Sequence, residues 1–134
     1  MTGWWVLLVV LAVTAVLALL HRRYDGRLRA RRPGADLRPL LERSGELATL
    51  VQFSSAFCAP CRATRSVLAR AADQVPGVLH LEIDAEDNLD LVRRLGIVKT
   101  PTTLVLDAQG REVVRASGQP RLADVLAAVG QAVR

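Results

Sequence analysis

Two cysteines occur in the 134 residues of this chain, and they stand two residues apart in Cys58-Ala59-Pro60-Cys61. Directly before them runs the apolar segment Leu50-Val51-Gln52-Phe53, which reads as a strand. Thiols at this spacing, between a strand and a following helix, make a dithiol redox centre. A strand ending near Ser55 and a helix opening around Cys58 put the first sulfur at a helix N-terminus. There the free N–H groups and the positive end of the macrodipole stabilise a thiolate. The second sulfur follows one turn later, within reach of a mixed disulfide formed on the first. Pro60 suits the first helical positions, where a missing N–H costs nothing. A zinc site and a pair of inert buried thiols are the competing uses. Zinc asks for about four ligands, and the chain adds only His21 and His80 to the two thiols, so no metal is expected.

Behind the dithiol the pattern alternates between strand and helix periods. Thr49–Ser54 is an apolar strand, and Cys58–Gln74 is helical, with Val67, Leu68, Ala71 and Ala72 facing inward and Arg62, Arg65 and Arg70 left to solvent. Pro76-Gly77 stops that helix. Val78–Asp84 is a second strand, and Asn88–Leu95 a short helix closed by Gly96. Thr102–Leu106 and Glu112–Ala116 form a hairpin around Asp107–Arg111, and Pro120–Val133 is a closing helix with Leu122, Val125, Leu126 and Val129 on one face. The order strand, helix, strand, helix, strand, strand, helix predicts an α/β domain. A parallel strand pair is extended by an antiparallel hairpin, with helices on both faces.

That order, the CxxC after the first strand and Thr100-Pro101 before the third make residues 46–134 resemble a thioredoxin-like fold in its minimal βαβαββα form, and the whole chain resembles the membrane-anchored thioredoxin-like proteins of bacteria. The resemblance implies a thiol-disulfide oxidoreductase with Cys58 as nucleophile and Cys61 as resolving thiol. It needs no cofactor beyond the dithiol itself. It also implies a cis bond before Pro101, which lies against the sulfurs, and a Thr100 backbone able to pair with an extended substrate segment. Taken alone, a proline opening a strand is equally an ordinary trans edge residue. Gly118 matches a small residue that the family keeps near that groove, or is simply a turn glycine.

Three positions depart from the family pattern. Phe57 stands where a tryptophan usually precedes the first cysteine, and Ala59-Pro60 replaces Gly-Pro between the cysteines. Gln52 occupies the position of a buried carboxylate that relays the second cysteine's proton, which an amide cannot do. His80 falls on the neighbouring strand, where the family often has a lysine. A neutral imidazole there has the right pKa range to take the Cys61 proton. Alternatively, Gln52 and His80 form a satisfied polar pair and water takes the proton.

The N-terminal part has a different character. Gly3 to Leu20 is eighteen residues without a charge, Thr14 being the one clearly polar side chain; as a helix it matches a bilayer core of about 30 Å. Trp4 and Trp5 mark one end and His21, Arg22 and Arg23 the other, as membrane interfaces favour. A signal peptide wants a basic n-region and a small-residue cleavage site, both poorly matched here, and a core helix would not be apolar all round. Residues 1–22 therefore read as a transmembrane anchor in contact with lipid through residues 3–20, residues 23–45 as a basic juxtamembrane linker with a helical turn or two over Asp36–Arg43, and 46–134 as the domain.

Residues 1–44 carry eight arginines against Asp25, Asp36 and Glu42, and residues 45–134 are balanced at ten and ten. The basic pI thus belongs to the membrane-proximal segment and does not argue for nucleic acid as a partner. By the positive-inside rule the domain faces the cytoplasm. An extracytoplasmic reductant for disulfide editing or cytochrome maturation, and a redox-sensing binding module, are the alternative functions. With one CxxC and no nucleotide-binding glycine motif, a separate reductant or oxidant must recharge the dithiol between protein disulfide or dithiol substrates.

Overall fold

A computed structural model describes residues 2–30, 37 and 43–134. The elements run α1 (Thr2–Tyr24), β1 (Leu28–Ala30), β2 (Ala48–Ser54), α2 (Ala59–Gln74), β3 (Val78–Asp84), α3 (Leu89–Leu95), β4 (Thr102–Asp107), β5 (Glu112–Ser117) and α4 (Leu122–Ala132). One mixed sheet has the order β1-β5-β4-β2-β3. β2 pairs parallel with β3, the chain passing through α2 between them, and antiparallel with β4 on its other edge. Flanked on both sides and covered on both faces, β2 is buried along its whole length. That is why it reads as a continuous apolar run rather than an alternating one.

The two faces of the sheet form two cores. Leu50 and Val105 point to the side of α2 and α4, where they meet Leu68, Ala71, Val125 and Val129. Val51, Phe53 and Leu104 point the other way, with Ile97 and the partly buried Leu91, Val92 and Leu95 of α3. The alternation inside β2 thus sends Leu50 and Gln52 to the dithiol side of the sheet and Val51 and Phe53 away from it. Gly96 ends α3 in the left-handed region, φ 64°, its N–H returning to Arg93 O.

Two features exceed the expected order. Leu28–Ala30, inside the stretch expected as linker, forms a fifth strand antiparallel to β5 with Leu28 opposite Ala116. A strand of three residues is too short to show a period, and its pairing is dictated by the otherwise open edge of β5. Leu37, from the same stretch, is 9 % exposed, packs into the α3-side core and donates its N–H to Gly110 O at 2.8 Å. Apart from Leu37 and Arg43, the turns expected over Asp36–Arg43 lie outside the described residues. The side chains of α1 from Gly3 to Leu20 are exposed, and the helix is long and apolar enough to cross a membrane; a signal sequence meets the same test.

If Leu37 is a core residue, Leu37→Ala costs about 1–3 kcal/mol, toward the low end for a large-to-small change because the site lies at the core's rim. Urea unfolding reads this directly; a value within about 0.5 kcal/mol of wild type is what a solvated spacer residue gives.

Candidate active site

Where β2 ends, Ser54 and Ser55 lead the chain over an exposed turn into α2. Phe57 takes φ 58°, a left-handed conformation uncommon for a bulky side chain, and its ring is fully exposed. Cys58 is the N-cap of α2 and Pro60 lies in the first turn. The Cys58 sulfur accepts a hydrogen bond from the Cys61 N–H at 3.2 Å, so it fills the capping place that a Ser or Asp oxygen usually takes. Cys58 is half-buried while Cys61 is 2 % exposed, and the two form a disulfide. One sulfur of the pair is presented to solvent and the other is sheltered.

A second turn at this end of the sheet leads into β4. The Thr100–Pro101 bond is cis. Thr100 shares a hydroxyl hydrogen bond of 2.8 Å with Ser55, tying this turn to the β2–α2 turn, and Thr102 Oγ1 donates to Lys99 O at 2.7 Å. Gly118, φ 90°, donates its N–H to Pro101 O at 2.7 Å. Val98 is 91 % exposed and, with Phe57, supplies apolar surface on the two turns that precede β4 and α2.

Beneath Cys61 lies a polar floor. Gln52, fully buried, donates from Nε2 to Cys61 O at 2.8 Å, and its Oε1 is 3.2 Å from His80 Nε2. Complementarity fixes the rest: the carbonyl of Cys61 requires the amide nitrogen, so Oε1 faces the imidazole, and a carbonyl oxygen only accepts. His80 Nε2 therefore carries a proton. The expectation that His80 takes the proton of Cys61 does not fit this arrangement, because the ring nitrogen facing the site is already protonated and an amide relays no proton. The pair is instead the satisfied one, and His80 orients Gln52 under Cys61.

Burial holds the His80 pKa below the ordinary histidine value; Glu82 pulls it upward and Arg65 pushes it down. Glu82 accepts from Ser54 Oγ at 2.7 Å and from both Arg65 Nε and a terminal nitrogen at 2.6 Å. The Arg65 hydrogen bond, the largest influence, lowers its carboxyl below the usual range. Arg65, exposed to solvent as expected, also pins the outer end of this floor. Sequence reasoning also missed Thr64 and Thr103, whose hydroxyls are buried with no partner. Thr103 lies directly opposite Gln52 across β2 and β4, a neighbour that only the pairing register reveals. Among the described residues no group of three His, Cys, Asp or Glu side chains is gathered to hold a metal.

A family model described as Thioredoxin matches residues 41–131. Thioredoxin domain-containing protein 2 of Homo sapiens is 33 % identical over 67 residues, half of this chain but 12 % of that protein. The thioredoxin of Gallus gallus is 30 % identical over 84 residues, 63 % of this chain and 79 % of that one. Among solved structures, a chloroplastic thioredoxin z gives a TM-score of 0.58 at 26 % identity, covering 64 % of this chain and 78 % of its own. A thioredoxin from Halobacterium salinarum gives 0.60 at 21 % identity over 65 % and 75 %, a likeness of fold.

The lowered pKa of His80 has a signed consequence for stability. Above the ordinary value of 6.5 the imidazole is neutral folded and unfolded, and its full contribution is present. As the pH falls below that value the unfolded chain takes the proton first, so stability declines until the folded pKa is reached. His80→Asn should flatten this decline in urea unfolding between pH 5 and 8; an equal decline in both proteins assigns it elsewhere.

Proposed function

Since the chain belongs to the thioredoxin family, we propose that it is a membrane-tethered thiol-disulfide oxidoreductase working through Cys58 and Cys61. The observation that carries the reading is the disulfide at the N-terminus of α2, its sulfur at Cys58 accepting from the Cys61 amide while Cys61 is buried. In the reduced protein the Cys58 thiolate attacks a substrate disulfide. A new S–S bond joins Cys58 to the substrate, and the first substrate sulfur leaves. Cys61 then loses its proton and attacks Cys58, releasing the second substrate sulfur and leaving the Cys58–Cys61 disulfide. Two electrons pass from the dithiol to the substrate, and a separate dithiol donor must restore them; with the reverse flow the same steps oxidise a substrate dithiol.

The other site residues have supporting roles in this proposal. Pro101 covers the sulfurs, and the Thr100 backbone pairs with an extended substrate segment. Phe57 offers an apolar contact beside the nucleophile, and Pro60 stiffens the first turn of α2. Gln52, oriented by His80, fixes the carbonyl of Cys61. With no carboxylate at Gln52 and a protonated Nε2 on His80, water takes the Cys61 proton. The substrates are protein disulfides. The first of the curated relatives is much longer than this chain, which spans 12 % of it, so substrate and donor are assigned from site chemistry alone.

Residues 1–22 serve as the anchor and 46–134 as the catalytic domain, with Leu28–Ala30 of the intervening stretch added to its sheet. The apolar helix with its exposed side chains supports membrane residence, and the arginine excess of residues 1–44 supports a cytoplasmic domain.

Cys61→Ser should retain attack and lose resolution, so it accumulates mixed disulfides on Cys58 that a thiol reductant releases, while insulin reduction falls to background. A Cys61→Ser protein that captures no disulfide substrate, alongside a wild type that turns insulin over, contradicts the resolving role. For topology, a reporter fused after Arg134 should be active on the cytoplasmic side only. Exchange of Arg22, Arg23, Arg27 and Arg29 for neutral residues should weaken that bias, and activity confined to the outer side reverses the assignment while leaving the dithiol chemistry intact.

A further inference from the structure

The segment between α1 and β1 is fastened to the domain at one particular place. Asp25 sets its carboxylate on the ammonium of Lys99, two residues before Pro101, and against the open face of Gly118, where a Cβ would collide with it. Gly26 donates its N–H to Ser117 O at 2.6 Å, and with φ 73° it lies so close to the Gln119 carbonyl that no side chain fits. Two residues on, Leu28 is paired opposite Ala116. These contacts share one end of the sheet: the end where β2 stops at Ser54, β4 opens at Thr102 and the dithiol stands. The topology thus attaches the apolar helix at the dithiol end of the domain, not at the far end where β2 begins at Ala48.

From Leu20, the last residue of the apolar run, to Asp25 is five residues, about 7–8 Å at the helical rise. The headgroup layer outside the hydrocarbon core has a thickness of roughly 5–8 Å. With α1 across a bilayer, the Pro101–Gly118 edge of the site therefore stands at the level of the headgroups. We infer that the clasp of Asp25 on Lys99 and Gly26 on Ser117 holds the mouth of the dithiol at the membrane surface, and that the substrate is a disulfide carried by another protein of the same membrane, close to where its chain leaves the bilayer. This inference rests on the membrane-tethered oxidoreductase reading above and names its substrate class. A folded soluble protein has to enter between the domain and the headgroups, whereas a membrane-borne segment is already there. The exposed Phe57 and Val98 border the same opening and suit an extended apolar segment. The chemistry is the exchange already written, two electrons leaving the pre-reduced dithiol for the substrate disulfide, so one turnover needs no recharging donor.

The test uses the full chain, pre-reduced, in phosphatidylcholine vesicles with two transmembrane peptides. One carries its disulfide about five residues beyond its helix and the other the same disulfide about forty residues beyond it, so both share the membrane with the protein. Single-turnover reduction of the near disulfide should be roughly tenfold faster or more, a geometric effect on effective concentration. A ten-residue Gly-Ser insertion between Tyr24 and Asp25 keeps the clasp and the domain but frees their height above the bilayer; it should bring the ratio close to one with soluble insulin reduction unchanged. Equal rates for near and far disulfides in wild type, or a ratio that survives the insertion, overturns the inference while the oxidoreductase reading stands. Failure to reduce either peptide or insulin overturns that reading and this inference with it.

Discussion

The sulfur of Cys58 closes the N-terminus of α2, and the rest of the site is arranged around that one contact. A helix N-terminus leaves amide donors without partners, and here the Cys61 N–H is directed at sulfur rather than at a hydroxyl or carboxylate oxygen. Sulfur is a weak acceptor as a thiol or disulfide and a strong one as a thiolate, so the cap gains strength in the charge state that attacks. The remaining elements keep this geometry in place. The central strand β2 delivers the chain to the turn at Ser55, the Ser55–Thr100 hydroxyl contact joins that turn to the one before β4, and the apolar packing of Leu68 and Ala71 on Leu50 seats α2 on the sheet.

Below the dithiol, a neutral network stands where a buried charge is the family's habit. A carboxylate under Cys61 would have to be ionised in a setting that disfavours charge, or hold its proton. Gln52 removes that conflict and keeps a hydrogen bond to the Cys61 carbonyl, with His80 saturating the amide's other end. The cost is chemical, since the groups turned toward Cys61, the Gln52 Nε2 and behind it the His80 Nε2, are N–H donors and take no proton. The charge in this region is moved outward to Glu82, which is partly exposed and held by Arg65 and Ser54. Glu82 acts on the site through its field on His80 and its hydrogen bond from Ser54.

Much of the fold was legible because local signals agreed with one another. The CxxC motif, the proline in the first turn of α2, Gly96 as a left-handed cap and the hairpin loop at Asp107–Arg111 each carry their own stereochemistry, and the elements from β2 to α4 begin and end within two residues of their expected bounds. The pairing of Gln52 with His80 was also open to sequence reasoning, as one of two readings, because both lie on strands whose parallel register follows from the crossover. What stayed hidden depends on register or on long-range contact. Thr103 beneath the site and Leu37 in the core have no local pattern that separates them from their neighbours. Leu28–Ala30 becomes a strand because β5 presents an unpaired edge. The hydrogen-bond roles of Gln52 and His80 follow from an atom count: Cys61 O demands a donor, which leaves Oε1 to the imidazole.

The N-terminal helix and the domain are joined by backbone and charge contacts at the dithiol end, so anchoring and catalysis are not independent features in this account. Catalysis depends on Cys58 being the thiol that ionises. The most direct measurement is a thiolate absorbance titration of the reduced protein near 240 nm, with Cys58→Ser as the control. The account predicts a first transition below the free-thiol value of about 8.5 that disappears in Cys58→Ser. A first transition at or above that value, or one that persists in the Cys58→Ser protein, contradicts it.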